Sequence, residues 1–390
     1  MNGLIWLAPI PLWFGAVCLI YSYAMYPAVV WVVGKLSGNR RRPSSQSDDD
    51  LPTVSVLIAA FNEEAVIDSR LRNLLASDYP HDKLEIVIAS DGSTDGTNEA
   101  VRRVAGQSPI VRLLDVPVRA GKTSVLNRAF GQVAGEIVVL SDANTFTDRQ
   151  SLRALAQWFS CPGVGVVCGQ LILVEPENGR NPDNLYWRYE NFLKTCEGRL
   201  GSLLGANGGI YAVRKSLFRA VPDDTLVDDL VIPLSIKLRT GCEIVYEPGA
   251  RAIEETPAGM AAEFRRRARI GAGGFQCIAR LWRLLNPAHG WLALAFFSHK
   301  VLRWFGPFFM VAMLLANLLL LGAKPYRAAM AAQAVFYAVA ALGRRVSGRG
   351  GLAKAARLPA LFVGANLALL VGFGRWIRGT RGGTWERTAR

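Results

Sequence analysis

Histidine is nearly missing from this chain. Three stand among 390 residues, at positions 81, 289 and 299, too few for an imidazole zinc site or a His-centred catalytic triad. The six cysteines (18, 161, 168, 196, 242 and 277) follow no metal-type spacing, and Cys161 and Cys168, seven apart, have no second pair to complete a site. They read as neutral thiols in a reducing compartment. A P-loop is missing too. Gly121-Lys122-Thr123 has the right ending, but Val116 stands where the motif needs its first glycine, which excludes a nucleotide triphosphatase of that type. Acid is scarce relative to base, leaving a net charge of +14. The basic residues cluster beside apolar stretches, at Lys35 to Arg42, Arg265 to Arg269, Arg344 to Arg357 and Arg375 to Arg390. Without interleaved aromatics this is the pattern of cytoplasmic membrane flanks, so lipids are expected as neighbours and nucleic acid is not.

What is abundant is apolar surface, with 51% hydrophobic residues. Leu4 to Val33 is almost continuously apolar and is followed by Lys35, Arg40, Arg41 and Arg42. The run exceeds the roughly 20 residues a span needs and lacks the basic start of a signal peptide. Residues 1–42 are therefore expected to be an uncleaved anchor with its N-terminus outside, and residues 43–51 a polar, acidic linker.

From Thr53 the pattern becomes strands alternating with helices. Val54 to Ala60, Leu84 to Ala89, Val111 to Leu114, Ile137 to Leu140 and Val164 to Gln170 read as buried strands. Such alternation predicts an α/β domain with a mostly parallel sheet, whose ligand-binding loops share the carboxyl edge. The run Ile137-Val138-Val139-Leu140 ends there in Ser141-Asp142-Ala143-Asn144. Asp142 and Asn144 have two readings, as caps of the next helix or as oxygen ligands of a metal-bound phosphate. Lys122 opens a helix, where a positive point charge suits an anion. The glycines around Asn207, from Gly205 to Gly209, allow close backbone approach to a ligand. Asp228-Asp229 begins another helix, as dipole partners or as a catalytic base. Arg265, Arg266, Arg267 and Arg269 suit either a membrane-surface helix or a diphosphate clamp.

Apolar stretches return at Trp291 to Phe297, Phe305 to Leu321, Ala328 to Leu342 and Leu358 to Phe373. The first is too short to cross and reads as interfacial. Three crossings would leave the basic tail outside, against its arginines. An even number is expected, from a re-entrant Leu358 to Phe373 or from a helical hairpin over Trp291 to Leu321.

In order, Ala60-Phe61-Asn62-Glu63-Glu64, Asp91, Gly121-Lys122 with Asn127, Asp142-Ala143-Asn144, Val227-Asp228-Asp229 and Arg266-Arg267-Ala268-Arg269-Ile270 resemble the motifs of family 2 glycosyltransferases. The similarity is to the membrane-embedded branch that includes cellulose, chitin, hyaluronan and poly-N-acetylglucosamine synthases, and it covers residues 52–274 closely. It implies a GT-A fold, Rossmann-like, in a cytoplasmic domain over 52–274. An interfacial segment (275–300), a transmembrane region (301–375) and a cytoplasmic tail (376–390) would follow, with the whole in the inner membrane.

The resemblance also implies roles. Ala60, Phe61, Asn62, Glu63 and Asp91 would hold the uridine of a UDP-sugar, and Lys122 would lie in the segment that closes over the nucleotide. Asp142 would share Mg2+ or Mn2+ with the diphosphate, with Asn144 where the family carries a second acid. Asn207, Gly208 and Gly209 would dock the acceptor, and Asp229, beside Asp228, would be the general base. Arg266 and Arg269 would touch the diphosphate, while Ile270 stands where processive members carry tryptophan. Trp385 would belong to a gating segment over the nucleotide. The expected activity is inverting transfer onto a growing polysaccharide or oligosaccharide. The alternatives are single transfer to a lipid-linked acceptor, favoured by Ile270, and a non-catalytic nucleotide-sugar-binding partner of an export or regulatory complex.

Overall fold

Aliphatic runs without charge pair most readily where both faces are covered, and here they form the centre of one eight-stranded sheet. A computed structural model of the chain describes residues 7–37, 43, 46–174, 184–255, 260–343 and 351–379. The strands are β1 (Val54–Ala60), β2 (Leu84–Asp91), β3 (Val111–Val116), β4 (Ile137–Asp142), β5 (Thr145–Thr147), β6 (Val164–Val174), β7 (Tyr211–Arg214) and β8 (Glu243–Glu255). Their order is β3-β2-β1-β4-β7-β6-β8-β5. Strands β3, β2, β1 and β4 run parallel, in register from Val54 opposite both Leu84 and Ile137. Every residue of β1 is buried, and the core over it takes Ile67, Leu71 and Leu74 from the helix Glu64–Leu75.

Beyond β4 the sheet becomes mixed. β7 is antiparallel to both β4 and β6, β8 is parallel to β6, and β5 closes the edge antiparallel to β8. The sequence reading has the parallel half and lacks β5, β7 and β8. The two short strands are below the length at which a pattern shows. β8 is long, but its burial alternates only around Ala250 and Ala252 and is broken by a register shift at Gly169/Gln170 of its partner.

The chain divides into two compact units, one built on Val30–Gly259 with Ala279–Ala295 and containing the sheet. The other is built on Met1–Val29, Met260–Ile278 and Phe296–Thr380 and is helical. In the helical unit Phe275 packs edge-on against Phe373, and a Cβ at Gly372 would come within 2.6 Å of the Ala268 carbonyl, so glycine allows the close helix approach.

By length and composition, Pro9–Leu36 and Ala355–Ile377 are able to cross a membrane, and the pair Trp291–Trp304 and Gly306–Leu319 would do so together with a 56° bend. The two helices of that pair meet at a bend, as a broken span or a re-entrant loop would, and Leu358 to Phe373 lies inside one continuous helix, Gly351–Ile377. Lys324–Gly343, which contains Ala328 to Leu342, is not among the candidates. Residues 275–300, expected to be an interfacial segment, are not one continuous helix. They contain the end of the helix Met260–Arg280, two tight turns, the short helix Trp291–Ala295 and the start of a π-type segment, Phe296–Val301. Ser298 and His299 are buried there, with Ser298 Oγ 2.9 Å from the Tyr21 hydroxyl.

Candidate active site

The carboxyl ends of β1 and β2 are laced together. Asn62 has φ +55°, a conformation asparagine tolerates because its short amide bonds locally. Its Oδ1 accepts from the Thr94 N–H at 2.8 Å, and its own N–H donates to Ser93 Oγ at 3.2 Å. The Glu63 N–H donates to Thr97 Oγ1 at 2.8 Å. Ala60 is fully buried, whereas the Phe61 ring carries the Arg119 guanidinium 3.7 Å from its centroid, a cation–π pair. Of the five residues expected at the uridine, Asn62 and Glu63 thus fix the loop itself.

Asp91 ends β2 and has no exposure. Its two carboxylate oxygens accept from the backbone N–H groups of Ala120 (2.6 Å) and Gly121 (2.9 Å). Gly121 has φ +95°, and a Cβ on Gly92 would meet the Arg119 nitrogen at 2.7 Å, so both glycines are required for the fold of this loop. The result is to present Lys122 at the first turn of the helix Lys122–Phe130. Its Nζ donates to Asp142 Oδ1 at 2.8 Å and lies 3.4 Å from Asp228 Oδ2. Burial works against the Lys122 charge, but Asp142 and Asp228 outweigh it and hold its pKa above the ordinary lysine value.

Asp142 closes β4 above a buried cation that the sequence reading missed. Arg70, fully buried on Glu64–Leu75, donates to Ser141 Oγ at 2.8 Å and to Asn73 Oδ1 at 2.6 Å. Burial lowers its pKa to about 9, with Asp142 opposing the shift, so it remains charged at neutral pH. Ser141 Oγ passes the chain on to the Gly209 carbonyl at 2.7 Å. Asn144 is buried and donates its Nδ2 to Glu254 Oε1 at 3.1 Å. Glu254, on a strand the sequence did not reveal, was missed for that reason.

Opposite stands the glycine segment. The Gly208 N–H donates to Asp229 Oδ2 at 3.1 Å, and the Ala206 N–H donates to the Asp229 carbonyl at 2.8 Å. A Cβ on Gly208 would lie 3.4 Å from Asp229 Oδ2 and 3.7 Å from Asp142 Oδ2, so the missing side chain leaves space between two carboxylates. Gly209 is packed more tightly, since a Cβ there would meet Leu171 at 2.8 Å. Asn207 is buried, with its Nδ2 donating to the Gly169 carbonyl at 2.6 Å. Asp228 and Asp229 start the helix Asp228–Thr240. Burial and then the neighbouring Asp228 raise the Asp229 pKa, while Lys122 and Lys194 pull it down.

Lys122, Asp142, Asp228, Asp229 and Gly208 therefore come together, while Asp91 and Asn207 sit behind them as supports. Arg266 and Arg269 lie on Met260–Arg280 in the helical unit, where Arg266 Nε donates to Glu263 Oε2 at 2.8 Å. Trp385 lies outside the described residues. Among the described residues no group of three or more His, Cys, Asp or Glu gathers to hold a metal.

Both the sequence and the fold that carry this arrangement have counterparts among known proteins. Residues 55–221 match the model of glycosyl transferase family 2. That match covers less than half of the chain. Over 279 residues it is 26% identical to the poly-beta-1,6-N-acetyl-D-glucosamine synthase of Staphylococcus aureus, covering 66% of this chain and 65% of that protein. Over 268 residues it is 28% identical to the beta-monoglucosyldiacylglycerol synthase of Synechocystis sp., covering 66% and 55%. The chain thus spans less than two thirds of these relatives' lengths. A mannosyltransferase from Pyrobaculum calidifontis, solved in complex with GDP-Man and Mn2+, superposes with a TM-score of 0.71 at 23% identity, covering 94% of this chain and 99% of that one. That likeness is one of fold, and it places the sheet in the GT-A class.

Proposed function

We propose that this chain is a metal-dependent, inverting glycosyltransferase that moves a sugar from a UDP-sugar onto a growing polysaccharide or oligosaccharide at the cytoplasmic face of the inner membrane. The observation that carries the reading is the gap at Gly208, with Asp229 and Asp142 on its two sides and Lys122 on Asp142. Asp229 takes the proton of the acceptor hydroxyl as that oxygen bonds to the anomeric carbon. The bond from that carbon to the diphosphate breaks on the opposite side, and UDP leaves with the electron pair. No covalent intermediate is needed, and the configuration inverts. Lys122 is placed to meet the anionic diphosphate.

The residues present fit a divalent cation. Asp142 Oδ2 faces the gap, and Asn144 has its amide nitrogen committed to Glu254, which leaves an oxygen for a hard ion. Asp142 and Asn144 would hold Mg2+ or Mn2+, which when bound offsets the charge of the departing diphosphate. Substrate phosphates would supply the remaining oxygen ligands.

The bent pair counted as one span, followed by Ala355–Ile377, makes two crossings after the catalytic domain, which returns the basic tail to the domain's side. The second reading, single transfer to a lipid acceptor, draws on Ile270 and on the similarity to a diacylglycerol-glycosylating relative. Purified protein in lipid, screened with UDP-glucose, UDP-N-acetylglucosamine, UDP-galactose and UDP-glucuronate, tests both. One of these is expected to be incorporated into an oligomeric product. A single sugar on lipid selects the second reading, and no turnover of any donor overturns the transferase reading in favour of a non-catalytic partner.

A further inference from the structure

Behind the gap lies a buried cation that the transfer chemistry leaves unused. Lys194, on the helix Asn184–Arg199, is buried, and an ammonium out of water is costly unless its protons are placed. It donates to Asn207 Oδ1. The other end of that amide donates to the Gly169 carbonyl on β6. With both ends engaged, Asn207 is pinned between a helix and the sheet, and its backbone carbonyl closes the tight turn by accepting from the Ile210 N–H at 3.0 Å. The next residue, Gly208, aims its N–H at Asp229 Oδ2. A continuous chain of contacts therefore runs from Lys194 through Asn207 and Gly208 to the carboxylate opposite Asp142.

We propose that Lys194 is a positioning residue for the transfer step: by pinning Asn207 it holds the Gly208 N–H on Asp229 Oδ2, so that Oδ1 is the oxygen presented to the acceptor hydroxyl. The proposal rests on Asp229 serving as the base. Lys194 takes no part in the bond changes: its ammonium donates to Asn207, and its charge reaches Asp229 only through space. A base must lie within hydrogen-bond reach of the proton it takes, and a misplacement of about 1 Å costs on the order of 100-fold in rate. Donor binding draws on Lys122 and Asp142 instead, so loss of Lys194 is felt in kcat rather than in donor affinity.

The full-length protein in lipid provides the test. Lys194→Met is expected to lower kcat by about 10- to 100-fold while donor KM and UDP affinity stay within about twofold of wild type. Lys194→Gln, whose amide still donates to Asn207, is expected to recover much of that loss. Hydrogen exchange is expected to quicken in the peptide covering residues 205–211 of Lys194→Met and to stay unchanged in β1 and β2. If Lys194→Met does not unfold cooperatively, Asn207→Ala cuts the same chain one link later and is expected to show the same split. Wild-type kcat in a folded Lys194→Met, a parallel loss of kcat and donor affinity, or unchanged protection over 205–211 overturns the proposal. The exchange measurement needs no turnover. A wild type inert to every donor, with protection lost in Lys194→Met, therefore counts against the transferase reading and not against the strut.

Discussion

Replacing Asp91 by asparagine changes one oxygen to an amide nitrogen and separates two roles that the sequence could not distinguish. In the structure both carboxylate oxygens accept from backbone N–H groups, at 2.6 Å from Ala120 and 2.9 Å from Gly121, in a site without solvent exposure. Hydrogen bonds to a charged group contribute about 1.5–3 kcal/mol each. Asparagine keeps one acceptor, now neutral, and turns donors toward the other N–H, which is left buried and unmet. The expected loss is about 2–4 kcal/mol. For a domain of this size that corresponds to a melting midpoint lower by on the order of 5–10 °C. Because Lys122 directly follows Gly121, UDP affinity is expected to fall as well. Tryptophan fluorescence during heating in detergent, with and without UDP, reads both effects. A variant that melts within about 2 °C of wild type but loses UDP refutes the strut and assigns Asp91 to the nucleoside alone.

Other outcomes follow from the same geometry. Arg70→Met removes the donors to Ser141 and Asn73 and is expected to cost about 2–4 kcal/mol in denaturant unfolding, although the residue lies on a helix surface by sequence. The Asp229 pKa is raised by burial and by Asp228, and Asp229 as the proposed base would act only when deprotonated. Activity should therefore fail, as pH drops, above the ordinary carboxylate range, and Lys122→Met should move that acidic limb of the kcat/KM profile higher still. A limb at or below the ordinary range contradicts this. Asn144→Asp restores the family's second acid but sets it against Glu254 at the present 3.1 Å contact. Mn2+-dependent UDP binding, followed calorimetrically, should weaken in Asn144→Asp and recover in the double variant with Glu254→Gln. Gly121→Ala forces alanine to φ +95° and should destabilise by more than about 1 kcal/mol in the same unfolding assay.

Strands β1, β2 and β4 were legible because uninterrupted aliphatic runs carry a signal that survives without context, and their exits supplied Asn62, Asp91 and Asp142. The antiparallel edge was not legible. Tyr211–Arg214 is four residues long, and β8 mixes exposed acids with buried alanines. Missing β8 meant missing Glu254, and with it the reason an amide suits position 144. Arg70 and Lys194 escaped for a different reason. On an amphipathic helix a lone cation reads as solvated, and only the fold shows that each is buried, Arg70 against the end of β4 and Lys194 against the glycine segment. Asn207 was placed in the right segment, but its role as a pinned support depends on Gly169, thirty-eight residues away in the chain. The helical unit was legible as apolar stretches, whereas the 56° bend that decides how they are counted is a property of packing.

The central claim is that Asp229 is the base of a sugar transfer across the Gly208 gap. It is tested most directly by turnover of the donor that the screen identifies, measured for Asp229→Asn beside UDP affinity for the same protein. The account predicts a fall in kcat of about 100- to 10,000-fold with UDP affinity retained. Undiminished turnover in a folded Asp229→Asn would contradict it.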